Sequence, residues 1–77
     1  MKVLTDKQIE ILNIIKDFVD EYGYSPTVRE IGNIAGLSSS ATVHFHLSNL
    51  KKKGYIKFAE GKMRTIRIIE GWLYGEI

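Results

Sequence analysis

Two four-residue stretches, Thr5-Asp6-Lys7-Gln8 and Thr27-Val28-Arg29-Glu30, constrain the fold of this chain more than any other feature. Each reads as a capping box: the threonine hydroxyl takes the amide three residues on, and the Gln8 or Glu30 side chain reaches back to the threonine amide. Each therefore fixes where a helix begins. Gly23, Gly36 and Gly54 mark the stops, because a helix ends readily on a residue that tolerates the left-handed conformation. Pro26 cannot continue a helix begun upstream. This punctuation predicts a first helix over 6–22, a second ending at Gly36, and a third that starts among Ser38, Ser39 and Ser40 and runs to Lys53.

Apolar spacing supplies the inward faces. On the first helix Ile9, Leu12, Ile15 and Val19 form a stripe that Ile11, Phe18 and Tyr22 widen. The second helix offers Val28, Ile31, Ile34 and Ala35, and is too short to stand alone in water. On the third, Val43, Leu47 and Leu50 fall within about 60° of one another at 100° per residue. From Tyr55 the period changes. Tyr55-Ile56-Lys57-Phe58 and Thr65-Ile66-Arg67-Ile68-Ile69 read as strands, joined by a turn at Glu60-Gly61-Lys62. Lys62 and Arg64 then lie near the hairpin tip. Two short helices joined through Gly36 suggest a helix-turn-helix, and Gly32, four positions earlier, lets the next helix cross closely. An ordinary αα-hairpin would share these features; the hairpin that follows the third helix shifts the reading. Three helices and then a β-hairpin give an α+β fold, the winged helix-turn-helix, over residues 1–69. Residues 70–77 form an apolar tail.

Composition narrows the function. The 77 residues allow one domain, without cysteine for a disulfide, a zinc finger or a thiol nucleophile. A reducing cytoplasm fits. No apolar run reaches the ~20 residues of a membrane span, so no membrane partner is expected. No nucleophile stands at a usable spacing from a base, and a pocket is hard to build in so small a core, so neither an enzyme nor a small-molecule ligand is expected. Charge is one-sided. Residues 1–40 carry four cations and six anions, whereas residues 41–77 carry seven and three. Such a basic half suits a polyanionic partner, although a plain solvated surface would look the same.

The third helix carries the candidate site. Opposite Val43, Leu47 and Leu50 lie Ala41, Thr42, Phe45, Ser48, Asn49 and Lys52. A large aromatic where water should be marks a contact surface, unless Phe45 packs on the wing or the tail. A DNA major groove offers thymine methyls to apolar groups and acceptors to hydroxyls. Ser39, Ala41, Thr42 and Phe45 are therefore the candidate base-contacting residues, with His44 at the border. Lys52, Lys53, Lys62, Arg64 and Arg29 can meet phosphates, as can Ser25 and Thr27 at the start of the second helix. His44 and His46 do not form a metal site: two positions apart on a helix their rings diverge by about 200°, and neither face has a carboxylate or cysteine nearby. No cofactor is expected, and His46 reads as a half-buried packing residue.

These residues carry a resemblance. Leu4-Thr5-Asp6-Lys7-Gln8, the run from Gly23 to Ile31 containing Ser25-Pro26-Thr27-Val28-Arg29-Glu30, Ala35-Gly36-Leu37-Ser38-Ser39, Thr42-Val43-His44, His46-Leu47 and Lys53-Gly54-Tyr55-Ile56 resemble the N-terminal DNA-binding domain of the LexA repressors, which govern the bacterial SOS response, and its Gram-positive branch best. The resemblance covers residues 1 to about 69. It implies a dimer on a palindromic operator, with Ser39, Ser40, Ala41, Thr42, His44 and Phe45 in the major groove and the wing around Gly61 to Arg64 near the backbone or minor groove. Phe45 departs from the small or polar residue of the family pattern, so a different operator is expected. The family's Ser-Lys peptidase domain is not present after Ile69. Self-cleavage is then not the expected switch, and the homodimer contact passes to another element, for which Trp72, Leu73, Tyr74 and Ile77 are candidates; an apolar tail of that kind either folds back on its own core or covers a partner's tail. The expected function is a repressor-like regulator that binds specific double-stranded DNA; the alternative is a protein-interaction module that keeps the winged-helix fold and uses Phe45 and the Trp72 tail as anchors.

Overall fold

The computed structural model describes residues 4–69. Helices α1 (Asp6–Tyr22), α2 (Val28–Ala35) and α3 (Ser40–Lys52) precede two short strands, β1 (Ile56–Lys57) and β2 (Arg67–Ile68). This is the winged-helix order. The apolar tail, read from the sequence as a candidate dimer contact, lies outside the described residues.

Both capping boxes form. The Thr5 hydroxyl accepts from the Gln8 amide at 3.1 Å, and Gln8 Oε1 accepts from the Thr5 amide at 3.0 Å. Thr27 and Glu30 repeat the pattern at 3.1 and 2.8 Å. Gly23 closes α1 at φ 78°. Gly36 closes α2 at φ 74°, and the Leu37 amide turns back to the Gly32 carbonyl at 2.8 Å. That six-to-one bond satisfies a carbonyl the helix end would otherwise leave bare.

The core is built from Ile11, Leu12 and Ile15 of α1, Ile31 of α2, Val43, Leu47 and Leu50 of α3, and Tyr55, Ile56 and Ile66 of the hairpin. Burial of each large aliphatic side chain contributes about 1.5–3 kcal/mol. The α3 phase read from the sequence holds. Two faces need correction. On α1 the buried row is Gln8, Ile11, Leu12 and Ile15, while Ile9 and Val19 are exposed at its margins. Gln8 displaces Ile9 because its side chain serves the capping box and also receives Lys53 Nζ at 2.9 Å, which ties the start of α1 to the end of α3. On α2, Ile34 is 57% exposed: an eight-residue helix has room for one inward row, and Ile31, Gly32 and Ala35 take it.

The strands are shorter than the sequence pattern predicts. The antiparallel ladder pairs Ile56 with Ile68 and Lys57 with Arg67. Like charges directly opposite weaken a ladder, and beyond this pair the chain leaves β geometry. The wing loop is closed instead by Thr65, whose Oγ1 accepts from the Ala59 amide at 3.0 Å. The Ile69 amide donates to the Tyr55 carbonyl at 2.8 Å and seals the hairpin base. No helix among the described residues is long and apolar enough to cross a membrane.

Candidate nucleic-acid interface

Helix α3 begins at Ser39, whose Oγ accepts from the Thr42 amide at 3.4 Å. With Val43, Leu47 and Leu50 locked into the core, the rest of its first two turns is set by geometry. Ser39, Ser40, Ala41, His44 and Phe45 are exposed and Thr42 is half-buried. Phe45 stands 63% exposed, with its ring edge-on to that of His46 at 5.6 Å between centroids. It does not pack on the wing. Ala41 and Phe45 are four residues apart and share a face, so they make an apolar stripe between hydroxyls and the His44 imidazole. No residue of α3 carries a carboxylate, which leaves this face free of repulsion toward phosphates.

A groove of about 440 Å³ runs beside α3, between the start of α2 and the wing. Arg29, His44 and Lys62 line it. Arg29 and Lys62 are exposed, as is Lys52 on the last turn of α3, and none of these three side chains forms a hydrogen bond or ion pair among the described residues. The structure thus gathers Arg29, His44 and Lys62 around one groove, with Lys52 beyond it on the same helix.

Four candidate residues stand otherwise than the sequence suggests. Ser25 is only 5% exposed; its hydroxyl donates to the Pro26 carbonyl at 2.9 Å and accepts from the Ile66 amide at 3.1 Å. It pins the second wing strand to the α1–α2 loop and is not open to a phosphate. The Thr27 hydroxyl and amide are both taken by Glu30, so the anion at that helix start is already the protein's own. Lys53 turns back to Gln8. Arg64 is engaged most fully: its guanidinium donates to the Ser25 carbonyl at 3.0 Å and to both Glu30 oxygens at 3.1 and 3.2 Å, and it lies 4.7 Å from the Tyr24 ring centroid. The Thr27 amide and then Arg64 hold the Glu30 carboxyl below the usual carboxylate range. Both favour its charged form, so the pairing is intact above the ordinary carboxylate pKa and is lost only as pH falls through the lowered one.

The sequence reading missed two cations, Lys57 and Arg67, which sit opposite each other on the hairpin's open face. The available signal is their place in the two strand patterns, each two residues on from Tyr55 or Thr65. Among the described residues no three His, Asp or Glu side chains gather closely enough to hold a metal ion.

Comparison with known proteins matches residues 1–65 to the LexA DNA binding domain family. The chain belongs to that family. LexA repressors of Staphylococcus aureus, from strains USA300 and Mu50 among others, are each 54% identical to it over 69 residues. The match covers 90% of this chain and 33% of the relative, so the chain spans about one third of the length of these repressors.

Proposed function

We propose that this LexA-family domain binds double-stranded DNA as the reading head of a transcriptional repressor and acts by binding, not by catalysis. Helix α3 lies in the major groove, with Ser39, Ser40, Ala41, Thr42, His44 and Phe45 toward base edges. Arg29, Lys52 and Lys62 meet phosphates on either side. One observation carries this reading: an exposed aromatic stands among hydroxyls on a helix face without acid, flanked by cations that have no partner among the described residues. Base edges reward hydroxyls and apolar groups, and phosphates reward flexible cations. The repressor name of the S. aureus relatives supports the same role. A two-fold pair of such domains, one per half-site, raises affinity and reads a palindrome. The segment holding Trp72, Leu73, Tyr74 and Ile77 is the proposed contact between copies.

The test is a salt titration. A duplex is first selected from a random pool on the immobilised protein, and affinity is then followed by fluorescence anisotropy as salt rises. Each phosphate contact contributes a slope of about −0.9 in log K against log salt. Lys52→Ala and Lys62→Ala each flatten the slope by about one such unit while leaving sequence preference unchanged. A parent slope near zero contradicts the proposal.

A further inference from the structure

We propose that Arg64 is a positioning residue for DNA binding: gripped by Glu30, it sets the angle of the wing against the helix-turn-helix and so places Lys62 over the duplex. The inference rests on the DNA-binding reading above and assigns Arg64 a role other than phosphate contact.

Arg64 is the only non-glycine residue among those described with positive φ, at 56°. A side chain held there is strained, and such a conformation persists only where the surroundings over-determine it. Here they do. The guanidinium fork meets both Glu30 oxygens, a third acceptor comes from the Ser25 carbonyl, and the Tyr24 ring lies beneath the cation. These partners belong to the α1–α2 loop and to α2, while Arg64 belongs to the wing. The ladder itself is two residues long with one cross-strand pair of like charge, and the other polar ties to the helices reach the hairpin outside its tip, from Ser25 Oγ to the Ile66 amide and from Lys51 Nζ to the Phe58 carbonyl. The Arg64 grip is therefore the main polar tie between the wing tip and the helices. Lys62 is two residues away on the lip of the groove. Glu30 itself is fixed because Oε1 also accepts from the Thr27 amide, so the clamp is referenced to the first turn of α2.

Glu30→Gln separates this reading from its rivals by sign. Glutamine serves equally well at the third position of a capping box, so α2 keeps its start. The variant's amide nitrogen would face the Arg64 fork where Oε2 now accepts, setting donor against donor. It also removes a negative charge beside the groove, which by electrostatics alone would tighten DNA binding. The latch predicts the opposite: three- to tenfold weaker binding to the selected duplex, with faster backbone motion in the amide relaxation of Gly61, Lys62 and Met63. Arg64→Lys, which keeps the charge and loses the fork, is expected to behave the same way, and the double variant to lose no more than either single one. Equal or tighter binding by Glu30→Gln, or near-parent binding by Arg64→Lys, overturns the proposal. A parent that binds no duplex defeats the DNA reading instead; the wing amides of Glu30→Gln then still decide the latch, and unchanged relaxation overturns it.

Discussion

Phe45→Ala binds the selected duplex about ten- to a hundredfold more weakly than the parent and unfolds at the same denaturant concentration. The two halves of that result come from one fact. Phe45 is 63% exposed, so truncating it removes little from the core, and its ring is available to a partner. Truncating an aromatic anchor at an interface commonly costs 1–2 kcal/mol or more, and tenfold in affinity corresponds to 1.4 kcal/mol. The chemistry can be narrowed further. An apolar ring in the major groove is rewarded by a thymine methyl. Replacing thymine with deoxyuridine at the facing position therefore weakens the parent and leaves Phe45→Ala unaffected. Were Phe45→Ala to bind as the parent does, with the fold intact, the face of α3 would belong to another kind of partner, and the protein-interaction reading would gain.

Gly32→Val is expected to damage the fold itself. Gly32 is buried where α2 meets the turn and α3, and a Cβ there would stand 3.1 Å from the Leu37 carbonyl oxygen and 3.2 Å from Val43 Cγ2. The first of these is backbone, held by the turn that Gly36 and Leu37 build on the Gly32 carbonyl. Valine adds two further carbons to that space, and overpacking of this sort costs typically 1–3 kcal/mol. For a domain of this size each kcal/mol moves the melting midpoint by roughly 4–8 °C, so a fall of about 10 °C is expected by thermal circular dichroism. Gly32→Ala falls much less, because leaving glycine gains about 1 kcal/mol of helix propensity against a squeeze of a few tenths of an ångström. A Gly32→Val midpoint close to the parent's would mean that α2 and α3 do not cross at this glycine.

What the sequence displays and what it hides divide along a physical line. Helix starts and stops are local events, written in Thr5, Gln8, Thr27, Glu30, Gly23 and Gly36, and all of them stand in the structure. The phase of α3 is legible because its three core residues admit one solution. The face of α1 is less so: Ile9 and Val19 match the helical period as well as the residues that replaced them, and only the capping role of Gln8 with its bond to Lys53 decides the rotation. The polar contacts across the chain were illegible. Ser25 and Arg64 look like surface groups with free hydroxyl and charge, yet each closes on a partner about forty residues away, Ser25 on Ile66 and Arg64 on the Ser25 carbonyl. Composition and periodicity carry no information on such pairs. Arg64 in particular gives no sign in sequence of a left-handed backbone, since that follows from the grip of Glu30 and not from its own preference.

The central claim is that the face of α3 opposite the core lies against base edges. The most direct measurement is a titration of isotope-labelled protein with the selected duplex, followed by amide shifts along the chain. The largest changes are expected from Ser39 to Phe45, smaller ones at Arg29, Lys52 and Lys62, and little along the exposed margin of α1 at Ile9 and Val19. Shifts concentrated on α1 or on Phe18, Tyr22 and Tyr24, whose ring centroids lie 4.5 to 6.0 Å apart, with Ser39 to Phe45 unmoved, would contradict it.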